Sequence, residues 1–314
     1  MQYYFAPMEG LTDSIYRQLH HKYFPGVSRY YTPFFSPTIH RSLTQKERRE
    51  LVPADTLDFE QIPQILTKNA EDFIWMATQC QDAGYREVNL NLGCPSGTVT
   101  AKGKGSGALR DPEALDRLLN DIFSGSPIPV SVKTRIGFSS PEEFPALIDI
   151  FNQYPVKELT IHPRTRADFY NGPVNMDSFL YAVAHSKNPI CFNGNLCSVW
   201  QIDTFSEAFP QVDAVMLGRG LVGDPGMLSP GGTDRTTLEN FHDALFATYT
   251  EAFGSGRNAI SRMKENWHYL SCRFAGGDKL FKKLRKTTDV QEYQGITREI
   301  FITLPFAESL CPNW

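Results

Sequence analysis

Two cationic side chains, Lys133 and Arg135, alternate with Val132 and Thr134 in the run PVSVKTR. Alternate residues of an extended strand face the same side, so both cations point one way, into the protein interior if Ser131 does so as well. Buried charge is costly without a counter-charge. The pair therefore indicates either a bound anion or Asp and Glu partners in nearby loops.

A single cysteine, Cys94, opens the loop GCPSGTVTAKGKGSGAL directly after an apolar run. A lone cysteine is commonly an inert buried residue. Here the surrounding glycine, serine and lysine residues are typical of a mobile loop over a site. Because no His or Asn stands at a protease-like spacing, we interpret the thiol as a proton donor rather than a nucleophile.

Two further loops carry residues that could bind an anion. Glycines Gly194, Gly218 and Gly220 accompany Asn193 and Arg219 after the last two apolar runs. Glycine lets backbone N–H groups approach a phosphate, and arginine can bind its oxygens in a bidentate way, although the same glycines could merely turn the chain. No P-loop and no GxGxxG motif follows the first strand, which argues against a nucleoside triphosphate or a Rossmann-bound dinucleotide.

A histidine, His162, ends another apolar run and is followed by Arg164, Arg166 and Tyr170. Alone it could be a structural residue. Its expected convergence with Lys133 favours a role in a site.

Eight short β-rich runs must position these residues. They are YYFAPM, SRYYTPFF, FEQIPQIL, EVNLNL, PVSVKT, ELTIHP, PICFNG and AVMLGR. Helix signals lie between most of them, such as Asn69, Asp111-Pro112 and Ser140-Pro141. The alternation predicts a (β/α)8 TIM barrel, because a barrel brings all eight polar strand ends to one face, whereas the alternative, an open doubly wound sheet, would spread them along an edge.

The strand pattern stops after the Gly- and Pro-rich stretch 223–232, and helical periodicity replaces it. Apolar residues recur every three or four positions over 238–253 and 260–274. We therefore predict a catalytic barrel domain over 1–232 and an all-helical domain over 233–314. Residues 257–286 hold nine Lys or Arg against two acids, a net +7 in a chain of net −4, which leaves −11 for the rest. This imbalance favours a polyanion partner for the helical domain, or else a solvated helix face.

Composition limits the remaining classes of protein. The 41% of hydrophobic and 21% of charged residues predict a globular chain. The six cysteines form no CxxC pair, so we expect neither a disulfide framework nor a metal site. No signal peptide or membrane span is expected, and we predict a cytoplasmic monomer.

Together these motifs resemble the tRNA-dihydrouridine synthases. The similar segments are APMEGLTD, LNLGCPSGTVTAKGKGSGAL, VKTRIG, IHPRTRADFYNG, NGN and MLGRG, which follow in order over residues 5 to 220, with RMKENWHYL similar in the helical tail. Asn195 departs from the family, which often has an acid after NG.

The resemblance implies reduction of specific uridines in tRNA to 5,6-dihydrouridine, with FMN as cofactor and NADPH as reductant. It implies hydride transfer from flavin N5 to uridine C6 and a proton from Cys94 to C5. The implied FMN-binding residues are Ala6, Pro7, Met8, Gln64, Lys133, His162, Asn193, Gly194, Gly218 and Arg219. Near the flavin and the uracil it implies Asn91, Arg135 and Tyr170. For the RNA we predict contacts from Arg262, Lys264, Lys282, Lys283, Arg285 and Lys286.

Two other functions compete with this interpretation. Another barrel flavoenzyme, such as a dihydroorotate or dihydropyrimidine dehydrogenase, would explain the strand ends but not the basic tail. An RNA-binding protein without catalysis would explain the tail but not Cys94, Lys133 and His162.

Overall fold

The computed structural model describes residues 1–307 and shows a parallel sheet that closes on itself. Its strands are β1 (Gln2–Phe5), β2 (Arg29–Tyr31), β3 (Glu60–Ile62), β4 (Gln64–Ile65), β5 (Val88–Leu92), β6 (Val130–Arg135), β7 (Leu159–His162), β8 (Ile190–Asn193) and β9 (Ala214–Leu217). The hydrogen-bonded order is β3-β2-β1-β9-β8-β7-β6-β5-β4. Its two ends, β3 and β4, are consecutive pieces of one run.

Pro63 separates β3 from β4, because proline has no N–H to donate to a sheet. Counted as one interrupted strand, β3 and β4 make the sheet an eight-stranded barrel whose neighbouring strands are parallel. Each of the eight predicted runs forms one of these strands. The prediction of a TIM barrel is confirmed, and the open doubly wound sheet is wrong.

Thirteen α-helices occur within residues 1–307. They are α1 (Ser14–Tyr23), α2 (Gln45–Glu50), α3 (Ala70–Asp82), α4 (Gly97–Thr100), α5 (Pro112–Gly125), α6 (Phe144–Phe151), α7 (Met176–His185), α8 (Val199–Ala208), α9 (Arg219–Gly223), α10 (Arg235–Phe253), α11 (Gly256–Leu270), α12 (Asp278–Lys286) and α13 (Val290–Thr303). The predicted start signals are present. Asn69 accepts a hydrogen bond at the start of α3 and Asp111 does so at the start of α5, while Ser140 caps a 3-10 turn that leads into α6.

The chain divides into two compact units. The barrel unit comprises Met1–Pro7, Ser28–Asn195 and Phe205–Met216, and the helical unit comprises Met8–Val27, Leu196–Thr204 and Leu217 onwards. The predicted domain boundary at residue 232 stays a prediction. The last residues of the predicted helical domain, 308–314 with Cys311, lie outside the residues that the structure describes.

The barrel unit is filled from the inside by alternate strand residues. One buried cluster contains Tyr4, Ala6, Tyr31, Ile62, Cys191, Ala214 and Met216. Polar side chains occupy the inward positions of the neighbouring strands β4 to β8. The barrel thus has an apolar part and a polar part, and the polar part carries Gln64, Asn91, Lys133, Arg135 and His162.

The helical unit packs around aromatic side chains. Trp267 donates from Nε1 to Tyr293 Oη at 3.0 Å, and Tyr293 also lies 2.8 Å from His242 Nε2. The predicted amphipathic pattern is present in α10 and α11, whose apolar residues are buried. No helix in residues 1–307 is long and apolar enough to cross a membrane.

Candidate active site

Neighbouring strand ends bring four of the predicted residues to one end of the barrel unit. Asn91 of β5 is in register with Lys133 of β6, and Arg135 is in register with His162 of β7. Carboxyl ends of parallel barrel strands open onto one face, where barrel enzymes hold their sites. Asn91 and His162, which are 71 positions apart in sequence, therefore lie only two strands apart at the same end of the barrel.

A directed chain of amide hydrogen bonds runs beneath this end of the barrel. Asn91 Nδ2 donates to Gln64 Oε1 at 2.7 Å, and Gln64 Nε2 donates to Asn89 Oδ1 at 2.8 Å. Asn89 Nδ2 then donates to Ser131 Oγ at 3.0 Å. All four side chains are buried. Each amide is linked to the next along the chain, so each fixes the orientation of its neighbour.

The upper end of the amide chain holds the backbone of Cys94. Asn91 Oδ1 accepts from Gly93 N at 3.0 Å and from Cys94 N at 2.9 Å. The Cys94 carbonyl accepts from Ser106 N at 3.1 Å and from Ser106 Oγ at 2.8 Å. Cys94 itself is partly exposed. The thiol thus lies on a fixed backbone at the end of β5.

The loop after Cys94 is folded rather than extended. It forms α4 and then a 3-10 helix over Gly105–Arg110. Gly105 has φ +56°, and a Cβ there would lie 2.8 Å from the Cys94 carbonyl oxygen and 3.0 Å from Cys94 Cβ. Glycine is required for this close approach. In this structure the segment is packed against Cys94, and its mobility stays a prediction.

Lys133 and Arg135 differ in their surroundings. Arg135 is buried and donates three hydrogen bonds to backbone carbonyls: Nε to Gly93 at 2.8 Å, and Nη1 to Thr165 at 2.8 Å and to Phe169 at 2.6 Å. It thereby joins the Cys94 loop to the loop after β7. Lys133 has no such carbonyl set, and within residues 1–307 no carboxylate lies within 4 Å of either cation.

Burial lowers the pKa of Lys133 to about 8, and the positive charge of Arg135 acts in the same direction. Desolvation disfavours the ammonium form, and a like charge nearby adds to that effect. An anion bound beside Lys133 would oppose both. The end of the barrel is therefore suited to negative charge.

His162 is oriented by an arginine. Arg164 Nη1 lies 2.9 Å from His162 Nε2, and Arg164 also contacts Asn195 Oδ1 at 3.4 Å. Because a guanidinium can only donate, His162 Nε2 accepts and the ring proton is on Nδ1. The hydrogen bond from Arg164 therefore fixes the orientation of the ring. Tyr170 is 52% exposed, and its ring lies 6.1 Å from that of His162 and 5.2 Å from the Arg135 guanidinium.

The other predicted cofactor residues of the barrel unit lie at the ends of β1 and β8. Ala6 and Pro7 follow β1, and Asn193 donates from Nδ2 to the Met216 carbonyl at 2.7 Å. A Cβ at Gly194 would lie 2.3 Å from the Phe192 ring, so this position requires glycine.

Three predicted cofactor residues belong to the helical unit. The Met8 amide donates to Thr12 Oγ1 at 2.9 Å. Gly218 precedes α9, and Arg219 is its first residue. The roles of these three residues in binding the cofactor stay predictions.

The predicted RNA contacts fall on two helices of the helical unit. Leu280, Phe281 and Leu284 of α12 are buried. The exposed positions of α12 include Lys279, Lys282, Lys283, Arg285 and Lys286. Arg262 of α11 is already engaged, because it lies 3.8 Å from Asp13 Oδ2 and 3.4 Å from Glu265 Oε2. Lys264 is partly exposed.

Sequence reasoning missed two groups that the structure places near Cys94. Asn89 and Ser131 complete the amide chain, and their inward alternation with Asn91 and Lys133 was a usable signal. Phe138, with Arg110 and Arg166 against its ring, had no signal, since the three residues lie in separate loops. Within residues 1–307 no group of three or more His, Cys, Asp or Glu could hold a metal ion.

Known proteins similar to this chain include relatives in sequence and solved structures with a similar fold. The tRNA-dihydrouridine(16) synthase of Escherichia coli (strain K12) is 30% identical over 315 residues, which cover 91% of this chain and 94% of that protein. The probable tRNA-dihydrouridine synthase 1 of Synechocystis is 26% identical over 303 residues, covering 91% and 82%.

The solved structure of morphinone reductase matches with TM-score 0.54 at 10% identity, covering 76% of this chain and 88% of that one. At that identity the match shows the shared barrel fold alone. Residues 4–294 match the family described as dihydrouridine synthase (Dus). The chain therefore belongs to the dihydrouridine synthase family of oxidoreductases.

Proposed function

We propose that this protein reduces uridine in tRNA to 5,6-dihydrouridine, with FMN as cofactor and NADPH as reductant. The observation that carries the proposal is the placement of Cys94, whose amide is bound by Asn91, at the same end of the barrel as Lys133. A thiol can donate a proton, and a nearby cation suits an electron-rich ring. The names of the similar proteins support tRNA as the substrate.

The barrel unit fits a flavin on two observations. The end of the barrel holds a lysine with no carboxylate within 4 Å in the described chain and with its pKa lowered by burial. Asn91, Lys133 and His162 lie at the same ends of the consecutive strands β5, β6 and β7, where barrel enzymes bind their ligands. We assign FMN contacts in this unit to Ala6, Pro7, Gln64, Lys133, His162, Asn193 and Gly194. The assignments of Met8, Gly218 and Arg219 rest on the family resemblance.

The residues have separate roles in the proposed reaction. FMN, when bound, would supply the hydride that C6 of uridine needs. Lys133 would hold the negative charge of the cofactor, and His162 would be a further hydrogen-bonding contact for it. Asn91 keeps the backbone of Cys94 in place, and the Cys94 thiol gives its proton to C5 of uridine. Tyr170, which is exposed beside Arg135, contacts the uracil.

The helical unit contributes a basic surface on α12. Its four clustered cations Lys282, Lys283, Arg285 and Lys286 are exposed, and in residues 1–307 no carboxylate lies within 4 Å of them. Such a surface suits the phosphates of an RNA, whose flipped-out base must be gripped from outside the reacting site. With Arg262 and Lys264 on α11, these cations are our assignment for tRNA contacts.

Cys94→Ala tests the proposal when flavin reduction and uridine reduction are measured separately. We expect the variant to be reduced by NADPH at the normal rate and to form dihydrouridine about 10² to 10⁴ times more slowly, since a positioned general acid is missing. Cys191→Ala, which removes a buried thiol of β8, is the matched control. A normal rate of dihydrouridine formation in Cys94→Ala would show that another group donates the proton.

The choice of substrate separates this function from that of a flavoenzyme acting on small molecules. We expect tRNA to be reduced and free uridine, dihydroorotate and free pyrimidines to be inert. Turnover of a free pyrimidine without activity on tRNA would refute the proposal. A purified protein without a flavin absorbance band would also contradict it.

A further inference from the structure

Two arginines share one aromatic ring beside the Cys94 loop. The guanidinium carbon of Arg110 lies 4.1 Å from the centroid of the Phe138 ring, and that of Arg166 lies 5.5 Å from the same centroid. Arg166 also lies 5.0 Å from the ring centroid of Phe169. These four residues, which we call the arginine rim, come from the three loops that follow β5, β6 and β7.

The arginine rim is not neutralised by carboxylates. Within residues 1–307 no Asp or Glu oxygen lies within 4 Å of Arg110 or Arg166. The nearest acids in sequence have other partners: Asp111 accepts from Ala114 N at 3.0 Å, and Asp168 accepts from Thr165 N at 2.7 Å. Cation–π contact places the two like charges together but does not cancel them. The two guanidinium groups therefore have no direct ion pair in residues 1–307, and the carboxylate of Glu143 accepts instead from the amide of Phe138 at 2.6 Å.

One donor in the rim lacks an acceptor. Arg166 Nε is buried and has no hydrogen-bond partner in the described chain. A buried donor without an acceptor is costly, and native proteins commonly explain such atoms by a ligand or an ordered water. Arg110 is exposed and Arg166 is partly exposed, so their guanidinium groups can still donate to the oxygens of an anion, particularly a phosphate.

Hydrogen bonds tie the rim to the candidate active site. Arg135 donates to the carbonyl of Phe169 and also to that of Gly93, which precedes Cys94. The amide of Arg166 donates to the Gly137 carbonyl at 2.9 Å. Phe169 has φ +52°, a left-handed conformation that is strained for a bulky residue, and its side chain is 38% exposed. The loop is thus held in a conformation that leaves an aromatic ring and two cations at the surface.

We infer that the arginine rim binds the sugar-phosphate backbone of the substrate RNA next to the reacting uridine, with Arg110 and Arg166 on phosphates and the exposed ring of Phe169 against a base or ribose. Phosphates account for a large part of protein–nucleic acid contacts, and exposed aromatic rings bind unpaired nucleotides by stacking. The inference rests on the proposed function, because it takes tRNA as the partner. It adds a barrel-unit contact to the basic surface of α12.

The double variant Arg110→Gln, Arg166→Gln tests the inference by tRNA binding over a range of salt concentrations. We expect the Kd for unmodified tRNA to rise about tenfold or more, because two charge-assisted hydrogen-bonding groups are removed. The slope of log K against log salt should shrink by about 0.7 to 0.9 for each phosphate that the variant no longer neutralises. Flavin content and NADPH oxidation should stay normal, because neither arginine is assigned to the cofactor.

Arg117→Gln is the matched control, since Arg117 is a 68% exposed arginine of the same unit with only a 3.7 Å contact to Glu113. It should leave both the Kd and the slope unchanged. If the double variant misfolds, as judged by its Tm, Arg110→Gln alone is measured, because the Arg110 side chain is exposed. A Kd and slope equal to those of Arg117→Gln would overturn the inference.

The outcomes for the rim and for the function are distinguishable. Wild-type protein that binds tRNA through the rim but forms no dihydrouridine would refute the proposed function and leave the rim as an RNA-binding surface. Wild-type protein that forms dihydrouridine, with the double variant binding tRNA normally, would refute the rim alone. Wild-type protein that neither binds nor reduces tRNA would refute both.

Discussion

Asn91→Ala should release the backbone of Cys94 while leaving the barrel folded. The side chain is buried, accepts from the amides of Gly93 and Cys94, and donates to Gln64 Oε1. Alanine removes all three hydrogen bonds and cannot replace any of them. The two amides then lose the acceptor that fixes the end of β5.

The cost follows from the groups left without partners. A buried polar group that loses its partner costs about 1 to 3 kcal/mol. Three groups lose one here, but the loop after Cys94 can shift and water can enter at the partly exposed thiol. We therefore expect a decrease of about 2 to 4 kcal/mol in the free energy of unfolding. A domain with about 5 to 15 kcal/mol of stability remains folded.

The kinetic effect should fall on one half-reaction. A displacement of about 1 Å can cost about 10²-fold in rate, so proton transfer to uridine should slow by about 10- to 10²-fold. Flavin reduction by NADPH should change little, because Cys94 takes no part in it. The assay mixes reduced enzyme with tRNA without oxygen and follows the return of the flavin absorbance.

Asn89→Ala is the matched control for this experiment. Asn89 belongs to the same amide chain and is equally buried, but its side chain bonds Gln64 and Ser131 rather than the Cys94 backbone. It should lower the stability to a similar extent and leave the rate of flavin reoxidation close to normal. Equal slowing by the two variants, or a normal rate in Asn91→Ala, would refute the positioning role of Asn91.

Three further predictions concern charged groups. The affinity for flavin should fall as the pH rises through about 8, because Lys133 loses its proton there. Lys133→Arg should remove this pH dependence. A flavin affinity of the wild-type protein that does not change with pH would contradict the prediction. Burial raises the pKa of Glu158 to about 7, whereas the pKa of a glutamate in the unfolded chain is about 4.3. Ionised Glu158 therefore destabilises the folded state increasingly as the pH rises between these two values. In urea unfolding, Glu158→Gln should raise the free energy of unfolding by about 2 kcal/mol at pH 8 and by much less at pH 5. Replacing the four clustered α12 cations by Gln should weaken tRNA binding and flatten its salt dependence, whereas an unchanged slope would identify an ordinary solvated face. These cations are Lys282, Lys283, Arg285 and Lys286.

The barrel could be predicted because its signals are local. Each strand is a short apolar run, and the helix starts at Asn69, Asp111 and Ser140 have side chains that accept from the first turn. The interruption at Pro63 was also visible, although the run was taken as one strand. Alternation along β6 correctly placed Lys133 and Arg135 on one side together with Ser131, which contacts Asn89 inside the barrel.

The sequences of α2 and α13 also contain ordinary helix-start signals. Thr44 and Glu47 form a capping box at the start of α2, and Asp289 caps α13 by accepting from Glu292 N. Both patterns can be found in the sequence. The helix α2, QKERRE, has no apolar residue to mark a buried face, whereas α13 buries Tyr293, Ile296, Ile300 and Phe301 at helical spacing.

The partners of the cations could not be predicted, because they are backbone atoms or rings in distant loops. Arg135 satisfies its donors with the carbonyls of Gly93, Thr165 and Phe169. Carbonyl oxygens carry no residue-type signal, so the sequence offered only a bound anion or a carboxylate. The geometry of the loops decides whether Lys133 or Arg135 keeps N–H donors for a ligand.

That geometry divides the positive charge of the barrel unit into three roles. Arg135, buried and hydrogen-bonded to three carbonyls, joins two loops and has no spare capacity at Nε. Lys133, desolvated and with no carboxylate within 4 Å in residues 1–307, is the cation that a flavin can use. Arg110 and Arg166 lie against Phe138 in the loops outside the strand ends, where an RNA backbone is the anion that can reach them. The described chain places no acid within 4 Å of these four cations, so we expect both the cofactor and the RNA to experience their positive charge. Neutralising the outer pair should therefore affect RNA binding and spare the flavin, whereas neutralising Lys133 should affect the flavin first.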